Sequence, residues 1–197
     1  MMPITPDKIK ALCFDLGNTL IEFGPRQVTY QYEALVNTLT ELFGYCDASR
    51  LKAIRDRQIV APFSNGYKEN DLRSLCEELI RGIYDIVPEQ RQVDRLIRTR
   101  YESFVHVVEL PDGVMALLNK LRRYRLGLLS NYPCSQSVRD SLAKIRLSEM
   151  FEVVVISGDI GYVKPHAKPF ESMLSQLDLS PSECVYIGDN WLADVQG

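Results

Sequence analysis

The amino-acid sequence predicts an α/β fold: a doubly wound parallel sheet that carries an inserted helical domain. In 1–22 and 109–197, short apolar runs alternate with segments of helical periodicity. This alternation is typical of parallel strands that helices cover on both faces. The stretch 23–108 shows helical periodicity and no strand-like run. We therefore predict an α/β core made of 1–22 and 109–197, with a helical cap, 23–108, inserted after the first strand.

Four apolar runs predict the strands of the core. They cover 11–16, 125–130, 152–156 and 183–187, and the third is rich in valine, a residue that is enriched in strands. Each run is short and mostly apolar, as expected for a strand that is buried on both faces of its sheet. The first run precedes the cap and the other three follow it, so the sheet needs both parts of the core.

Apolar residues at helical spacing predict three helices in the cap and three in the core. They cover 28–43, 72–83 and 93–105 in the cap, and 114–121, 138–145 and 169–177 in the core. Gly44 and Pro88 follow the first two as stop signals, and Pro169 opens the last, where proline is favoured. A further helix begins near Trp191 and few residues follow it. We therefore expect that a C-terminal edge strand is missing.

Composition and charge exclude several classes of protein. Of the 197 residues, 46% are apolar and 25% are charged, close to the average of globular domains. The formal net charge of −3 gives no basic footprint for nucleic acid or an anionic membrane. The longest uncharged run, 126–138, is shorter than the ~20 residues that span a bilayer. Five widely spaced cysteines without a CxxC pair argue against a zinc site and a disulfide framework, so we expect a cytoplasmic protein.

Polar residues follow each predicted strand, close to the point where the strand ends. Asp15 lies at the end of the first strand, and Ser130-Asn131 lies at the end of the second. Lys164 lies in the loop after the third strand, and Asp189 follows the fourth, five residues before Asp194. In open α/β sheets, ligands bind outside the carboxyl ends of the strands. The doubly wound topology therefore predicts that these groups converge on one site.

These motifs resemble those of the haloacid dehalogenase superfamily, in the branch whose helical cap is inserted after motif I. The matching strings are FDLGNTL, LLSN, GYVKPHAKPF and VYIGDNWLADV, in the family's order and spacing. The resemblance implies a Rossmann-like core with the sheet order 3-2-1-4 and a fifth edge strand, which the sequence does not supply. It also implies a Mg²⁺-dependent phosphatase that acts on a small phosphorylated metabolite, with the cap as a lid.

The resemblance implies a nucleophile and a metal site. Asp15 is the candidate nucleophile, which forms an aspartyl-phosphate intermediate. Asp15 and Asp189 would bind Mg²⁺ directly, together with the backbone carbonyl of Gly17. Asp194 would hold metal-bound waters and orient the lysine. Three carboxylates in one pocket would also repel one another unless a cation lay among them, and Mg²⁺ prefers oxygen ligands.

The remaining motif residues are expected to bind the phosphate. In the family pattern, the Ser130 hydroxyl and the Asn131 backbone N–H bind phosphate oxygens. Lys164 offsets negative charge on both the phosphate and Asp15, so it is expected to be a catalytic as well as a phosphate-binding residue. The substrate itself is set by the cap and is not readable from the sequence.

Gly17 departs from the family pattern, in which an acid two positions after the nucleophile protonates the leaving group and then activates water. General acid–base catalysis contributes roughly 10²–10⁴-fold to rate. We therefore expect a slower phosphatase, or one that prefers esters with good leaving groups, such as acyl or anomeric phosphates. The candidates on the cap side for replacing the acid are Glu22, Tyr30, Tyr67 and His106.

Two other functions fit the same residues. A 2-haloacid dehalogenase shares the nucleophilic Asp15 and also lacks the second acid, but halide displacement needs no metal. Such an enzyme tends to carry a neutral residue where this chain has Asp189, so the acids favour the phosphatase. The second alternative is a catalytically weak phosphate-binding or regulatory protein, which the absence of an acid at Gly17 favours.

Overall fold

Four parallel strands form the sheet at the centre of the core. The computed structural model describes residues 8–197, so the first seven residues of the predicted core segment 1–22 lie outside the described residues. The strands are β1 (Ala11–Phe14), β2 (Arg125–Ser130), β3 (Val153–Ile156) and β4 (Cys184–Ile187). Their order is β3-β2-β1-β4, and every pairing is parallel. The predicted α/β class and the sheet order 3-2-1-4 are confirmed.

Helices cover both faces of this sheet. The core helices are α5 (Val114–Lys120), α6 (Ser135–Lys144), α7 (Ser157–Ile160) and α8 (Ala167–Leu177). On one face, Phe14 and Leu128 belong to the same apolar cluster as Val138 of α6. On the other face, Cys13 packs in a cluster with Met173 of α8. Neighbouring strand residues thus point to opposite layers, which explains the continuous apolar runs.

The cap consists of four helices with an apolar core of their own. They are α1 (Pro25–Phe43), α2 (Ala48–Ser64), α3 (Leu72–Tyr84) and α4 (Gln90–Val107). Leu35, Leu51, Leu79 and Leu96 supply one buried side chain from each helix to this cluster. The cap can therefore hold its shape independently of the sheet. No helix in the described part of the chain is both long and apolar enough to cross a membrane.

The cap contacts the core on two sides. At the end of α4, the Lys144 ammonium donates hydrogen bonds to the carbonyls of Val105 (2.7 Å) and Val108 (3.0 Å). On the other side, the backbone N–H of Glu69 donates to the carbonyl of Gly161 at 3.0 Å. A cleft opens between these two contacts, at the carboxyl ends of the strands.

Candidate active site

Asp15 is fixed at the end of β1 by backbone and apolar contacts. Its N–H donates to the carbonyl of Ile187 at 2.8 Å, which extends the β1–β4 pairing by one residue. The chain then turns, and the Leu16 carbonyl accepts from the N–H groups of Leu20 (2.9 Å) and Ile21 (3.1 Å). All three of these apolar side chains are buried. These buried side chains therefore anchor the loop to the core, and Asp15 lines the cleft.

Lys164 is the most deeply buried charge of the site, with 1% of its surface exposed. Its ammonium donates to Asp15 Oδ1 at 2.6 Å, to Asp194 Oδ1 at 2.7 Å and to Tyr186 Oη at 2.7 Å. These contacts use all three N–H donors of the ammonium. Two carboxylates balance the buried cation, so its burial does not leave an uncompensated charge.

The Asn131 side chain holds the backbone of Lys164 in place. Its Oδ1 accepts from the Lys164 N–H at 2.8 Å, and its Nδ2 donates to the Lys164 carbonyl at 3.0 Å. The amide is therefore committed to positioning the lysine. Asn131 directly follows Ser130, the last residue of β2. Its backbone N–H, for which the sequence predicts a phosphate contact, therefore lies at the carboxyl end of that strand.

Three carboxylates converge beside the lysine. One oxygen from each of Asp15, Asp189 and Asp194 lies within 4.8 Å of the others. Asp189 is exposed whereas Asp15 and Asp194 are buried, and Asp194 Oδ2 also accepts from the Asn190 N–H at 2.9 Å. A Cβ on Gly188 would lie only 2.2 Å from that oxygen, so glycine is needed there. An all-oxygen donor set with an open, solvent-facing side fits Mg²⁺.

Burial and neighbouring charges set the ionisation of two groups in the site. Burial raises the pKa of the Asp15 carboxyl, and the charge and hydrogen bond of Lys164 counteract this. Burial also raises the pKa of the Tyr186 phenol, as do the charges of Asp15 and Asp194. Tyr186 is therefore a neutral phenol, which accepts from Lys164 and donates to the Leu129 carbonyl at 3.1 Å.

The carboxylates form one end of a cleft of about 300 Å³. Ser130 and the backbone of Gly17 line the same cleft, so every predicted site residue lies at it. The apolar wall contains Phe23, Phe104 and, from the cap helix α2, Phe63. The cleft therefore offers polar groups from the core together with the aromatic rings of Phe23, Phe63 and Phe104.

Comparison with known proteins assigns the family. The sequence profile of haloacid dehalogenase-like hydrolases matches residues 14–197. The chain belongs to this family. Among curated relatives, it is 30% identical over 135 residues to the pyrophosphatase PpaX of Bacillus thuringiensis (strain Al Hakam), and the alignment covers 65% of the chain and 61% of the relative. The chain thus spans less than two thirds of the length of that relative.

Solved structures share the fold of this haloacid dehalogenase-like hydrolase. A 2-haloacid dehalogenase from Pseudomonas syringae pv. Tomato DC3000 superposes with a TM-score of 0.73 at 22% identity, covering 95% of this chain and 80% of the other. A HAD phosphatase from Thermococcus onnurineus gives a TM-score of 0.63 at 22% identity, with the same coverage. At 22% identity, this similarity shows a shared fold and does not by itself indicate a shared activity.

None of the four suggested replacements for the family's second acid reaches the cleft. The cleft lining, among the described residues, contains neither Glu22 nor Tyr67. Tyr30 and His106 stack on each other, with ring centroids 4.6 Å apart, and line a different cavity. The site of this haloacid dehalogenase-like hydrolase therefore has no general acid from that set.

Sequence reasoning missed two side chains that shape the site. Tyr186 reads as an ordinary strand residue, yet its hydroxyl contacts Lys164. Phe63 reads as helix packing, yet it lines the cleft. The position of Tyr186, three residues before Asp189 on a strand that borders the site, is the one signal that pointed to the first. Phe63 is one of four cap aromatics, with Tyr30, Tyr32 and Tyr67, that the sequence predicts to serve mostly in helix packing, with one of them as a candidate for facing the substrate.

Proposed function

We propose that this chain is a Mg²⁺-dependent phosphatase that acts on a small phosphorylated metabolite through an aspartyl-phosphate on Asp15. The observation that carries the proposal is the placement of the Asp15 carboxylate between a buried ammonium at 2.6 Å and two further carboxylates within 4.8 Å. Such a cluster suits a divalent cation beside a nucleophile. The widely spaced, unpaired cysteines support a cytoplasmic location.

Six groups would hold the cation and the phosphate. Asp15, Asp189 and the Gly17 carbonyl would bind Mg²⁺ directly, and Asp194 would hold its waters. When bound, Mg²⁺ would neutralise negative charge on the phosphoryl oxygens as a Lewis acid. Ser130 and the backbone N–H of Asn131 would bind the remaining phosphoryl oxygens at the end of β2.

The reaction takes place in two displacements. The Asp15 carboxylate attacks phosphorus, a new bond forms from its oxygen to phosphorus, and the ester bond breaks to release the leaving-group oxygen. Water then attacks the phosphorus of the aspartyl-phosphate, which releases inorganic phosphate and restores the carboxylate. Lys164 stays bound to Asp15 Oδ1 and keeps this group in the ionised form that attacks.

The leaving group must depart with little help from this chain. Gly17 supplies no acid, so the oxygen that leaves takes its proton from water. Phosphoanhydrides, acyl phosphates and anomeric phosphates suffer least from this. The similarity to a protein named a pyrophosphatase agrees with such a substrate, because phosphate is a good leaving group.

A phosphate-release screen tests the proposal. Sugar, nucleotide and acyl phosphates and pyrophosphate are incubated with the chain, with Mg²⁺ or with a chelator. We expect Mg²⁺-dependent release that Asp15→Asn abolishes. Asp112→Asn is the matched control, since Asp112 is exposed and lies outside the cleft; it should leave the rate unchanged.

Two outcomes would contradict the proposal. Halide release from 2-chloropropionate without Mg²⁺ would assign the chain to the dehalogenases. Metal-dependent phosphate binding with no turnover of any compound would assign it to the phosphate-binding proteins. The nearness of Asp189 and Asp194 to Asp15 favours the phosphatase over the dehalogenase, because halide displacement needs no metal.

A further inference from the structure

A second cavity, of about 340 Å³, lies between the cap and the core and adjoins the cleft. Phe23, Phe63, Asn131 and Tyr132 line both spaces. A compound held by its phosphate at Asp15 would therefore have the second cavity as its neighbour on the other side of these side chains. The far part of that compound meets the cap helices α2 and α4.

Two arginines of the cap line this second cavity. Arg55 projects from α2 and Arg100 from α4. The Nη1 atom of Arg100 is buried and has no hydrogen-bond partner among residues 8–197. The ion pairs of the cap, within the same residues, use other arginines and lysines. A buried polar group without a partner is rare in native proteins and calls for an explanation.

The surroundings of these arginines increase the cost of leaving them unpaired. Burial and the nearby charge of Arg100 lower the pKa of Arg55. Glu69 is an acid of the same cavity, but its carboxylate accepts hydrogen bonds from the Ser157 hydroxyl and the Asn70 N–H. Two adjacent cations in a partly dry space are destabilising unless an anion joins them.

We propose that Arg55 and Arg100 bind a second anionic group of the substrate, a carboxylate or a second phosphate remote from the phosphoryl group that is transferred. The proposal rests on the phosphatase function proposed above. Guanidinium groups suit this task because their planar fork matches carboxylate and phosphate oxygens. The free protein then leaves one buried guanidinium nitrogen without a partner because the substrate supplies that partner.

Matched substrates test the proposal. 3-Phosphoglycerate and glycerol 3-phosphate share a carbon skeleton and differ in a carboxylate. Fructose 1,6-bisphosphate and fructose 6-phosphate differ in a second phosphate. We expect kcat/KM to be higher for the doubly anionic member of at least one pair, and the pair that shows the preference identifies the second anion. Equal kcat/KM within both pairs would overturn the proposal.

Arginine variants assign the preference to these side chains. Arg100→Gln and Arg55→Gln should lower kcat/KM for the preferred, doubly anionic member about tenfold or more, because each removes a charge-assisted hydrogen bond. The singly anionic member should change little. Arg98→Gln is the matched control, since Arg98 is an exposed residue of the same helix as Arg100. A loss of equal size for both members would overturn the proposal.

Thermal unfolding separates recognition from folding. Removal of an unpaired buried charge should leave the melting temperature of ligand-free Arg100→Gln unchanged or higher. A marked decrease would show that Arg100 has a structural role and would count against the proposal. Arg100→Lys, which keeps the charge, should retain part of the preference.

A calorimetric titration distinguishes a failure of the arginine site from a failure of the phosphatase function. If the wild-type chain hydrolyses neither these esters nor the acyl phosphates and pyrophosphate of the screen above, the phosphatase function fails, and binding of the same pairs to the wild-type chain is then measured directly. Tighter binding of the doubly anionic member, lost in Arg100→Gln, would still support the arginine site. Equal affinities would overturn it.

Discussion

Gly17 offers the sharpest test of how this site works, through the substitution Gly17→Asp. A Cβ at this position would meet one neighbour, the Cβ of Phe23 at 3.5 Å, which is ordinary van der Waals contact. Gly17 is also not among the glycines with positive φ. A side chain therefore has room for its Cβ without backbone strain, and Gly17 already lines the cleft.

The expected gain follows from what the added acid supplies. General acid–base catalysis is worth roughly 10²–10⁴-fold, or about 3–5 kcal/mol of activation free energy. The gain should be large for alkyl phosphates, whose leaving oxygen needs a proton. It should be small for aryl, acyl or anhydride substrates, whose leaving groups depart as anions.

Leaving-group dependence is the assay. kcat/KM is measured for a series of phosphate monoesters at saturating Mg²⁺, and its logarithm is plotted against the leaving-group pKa. The slope should be shallower for Gly17→Asp than for the wild-type chain. Gly17→Asn is the matched control, because it fills the same space without a proton to donate. The reasoning about the missing acid is wrong if Gly17→Asp speeds every ester equally. It is also wrong if Gly17→Asn makes the slope as shallow as Gly17→Asp does.

Three further predictions concern the buried polar groups. Lys164→Met leaves Asp15 and Asp194 buried without their cation, so the free energy of unfolding in denaturant titrations should fall by about 3–5 kcal/mol. Tyr186→Phe leaves a Lys164 N–H without its acceptor and should cost about 1–3 kcal/mol by the same measurement; an unchanged value would show that water replaces the hydroxyl. Burial raises the pKa of Glu69, so the stability linked to its proton is present below the unfolded pKa and is lost as pH rises through the folded one. Glu69→Gln should therefore be more stable relative to the wild type at about pH 8 than at about pH 4, and a pH-independent difference would contradict this.

The sheet was predictable because each strand is a short apolar run with helices on either side. The predicted starts of β3 and β4 are one residue early, and the largest difference is the end of β1, which stops at Phe14 rather than at Leu16. The apolar pattern continues there because Leu16 is buried, although its backbone already belongs to the turn that carries Asp15. Leu16 is thus buried without being part of the strand, and an apolar pattern in the sequence indicates burial only.

Helix α2 was missed for a different reason. The side chains that it buries are Leu51, Ile54, Gln58 and Pro62. Two of these four, a glutamine and a proline, do not belong to the apolar spacing that predicts a helix. Gln58 is satisfied inside the cap by donating to the Leu75 carbonyl at 3.0 Å. Ile59, by contrast, is exposed. One sequence signal for this helix was present: Asp47 is its N-cap residue, and the Asp47 carboxylate accepts hydrogen bonds from N–H groups in the first turn of the helix.

Strand ends and cap packing differ in how far a sequence reveals them. The parallel sheet brings Asp15, Ser130 and Asp189 together, since carboxyl ends of neighbouring strands meet at one edge. The contact of Tyr186 with Lys164, and the cavity lined by Arg55 and Arg100, depend on how separate layers pack. No local spacing encodes such contacts, so they became visible only in the structure.

Charge balance links the core of the site to the cap. Three carboxylates against the single Lys164 ammonium leave two negative charges at the core end, which one divalent cation would cancel. In the proposed reaction, the transferred phosphoryl group would then meet a site that is close to neutral, with its own charge spread over the cation and the groups at the end of β2. The two guanidiniums of the cap lie apart from this balance, and a substrate with a neutral tail would leave them unpaired. The proposed preference for a doubly anionic substrate and the proposed metal beside Asp15 therefore rest on the same electrostatic reasoning.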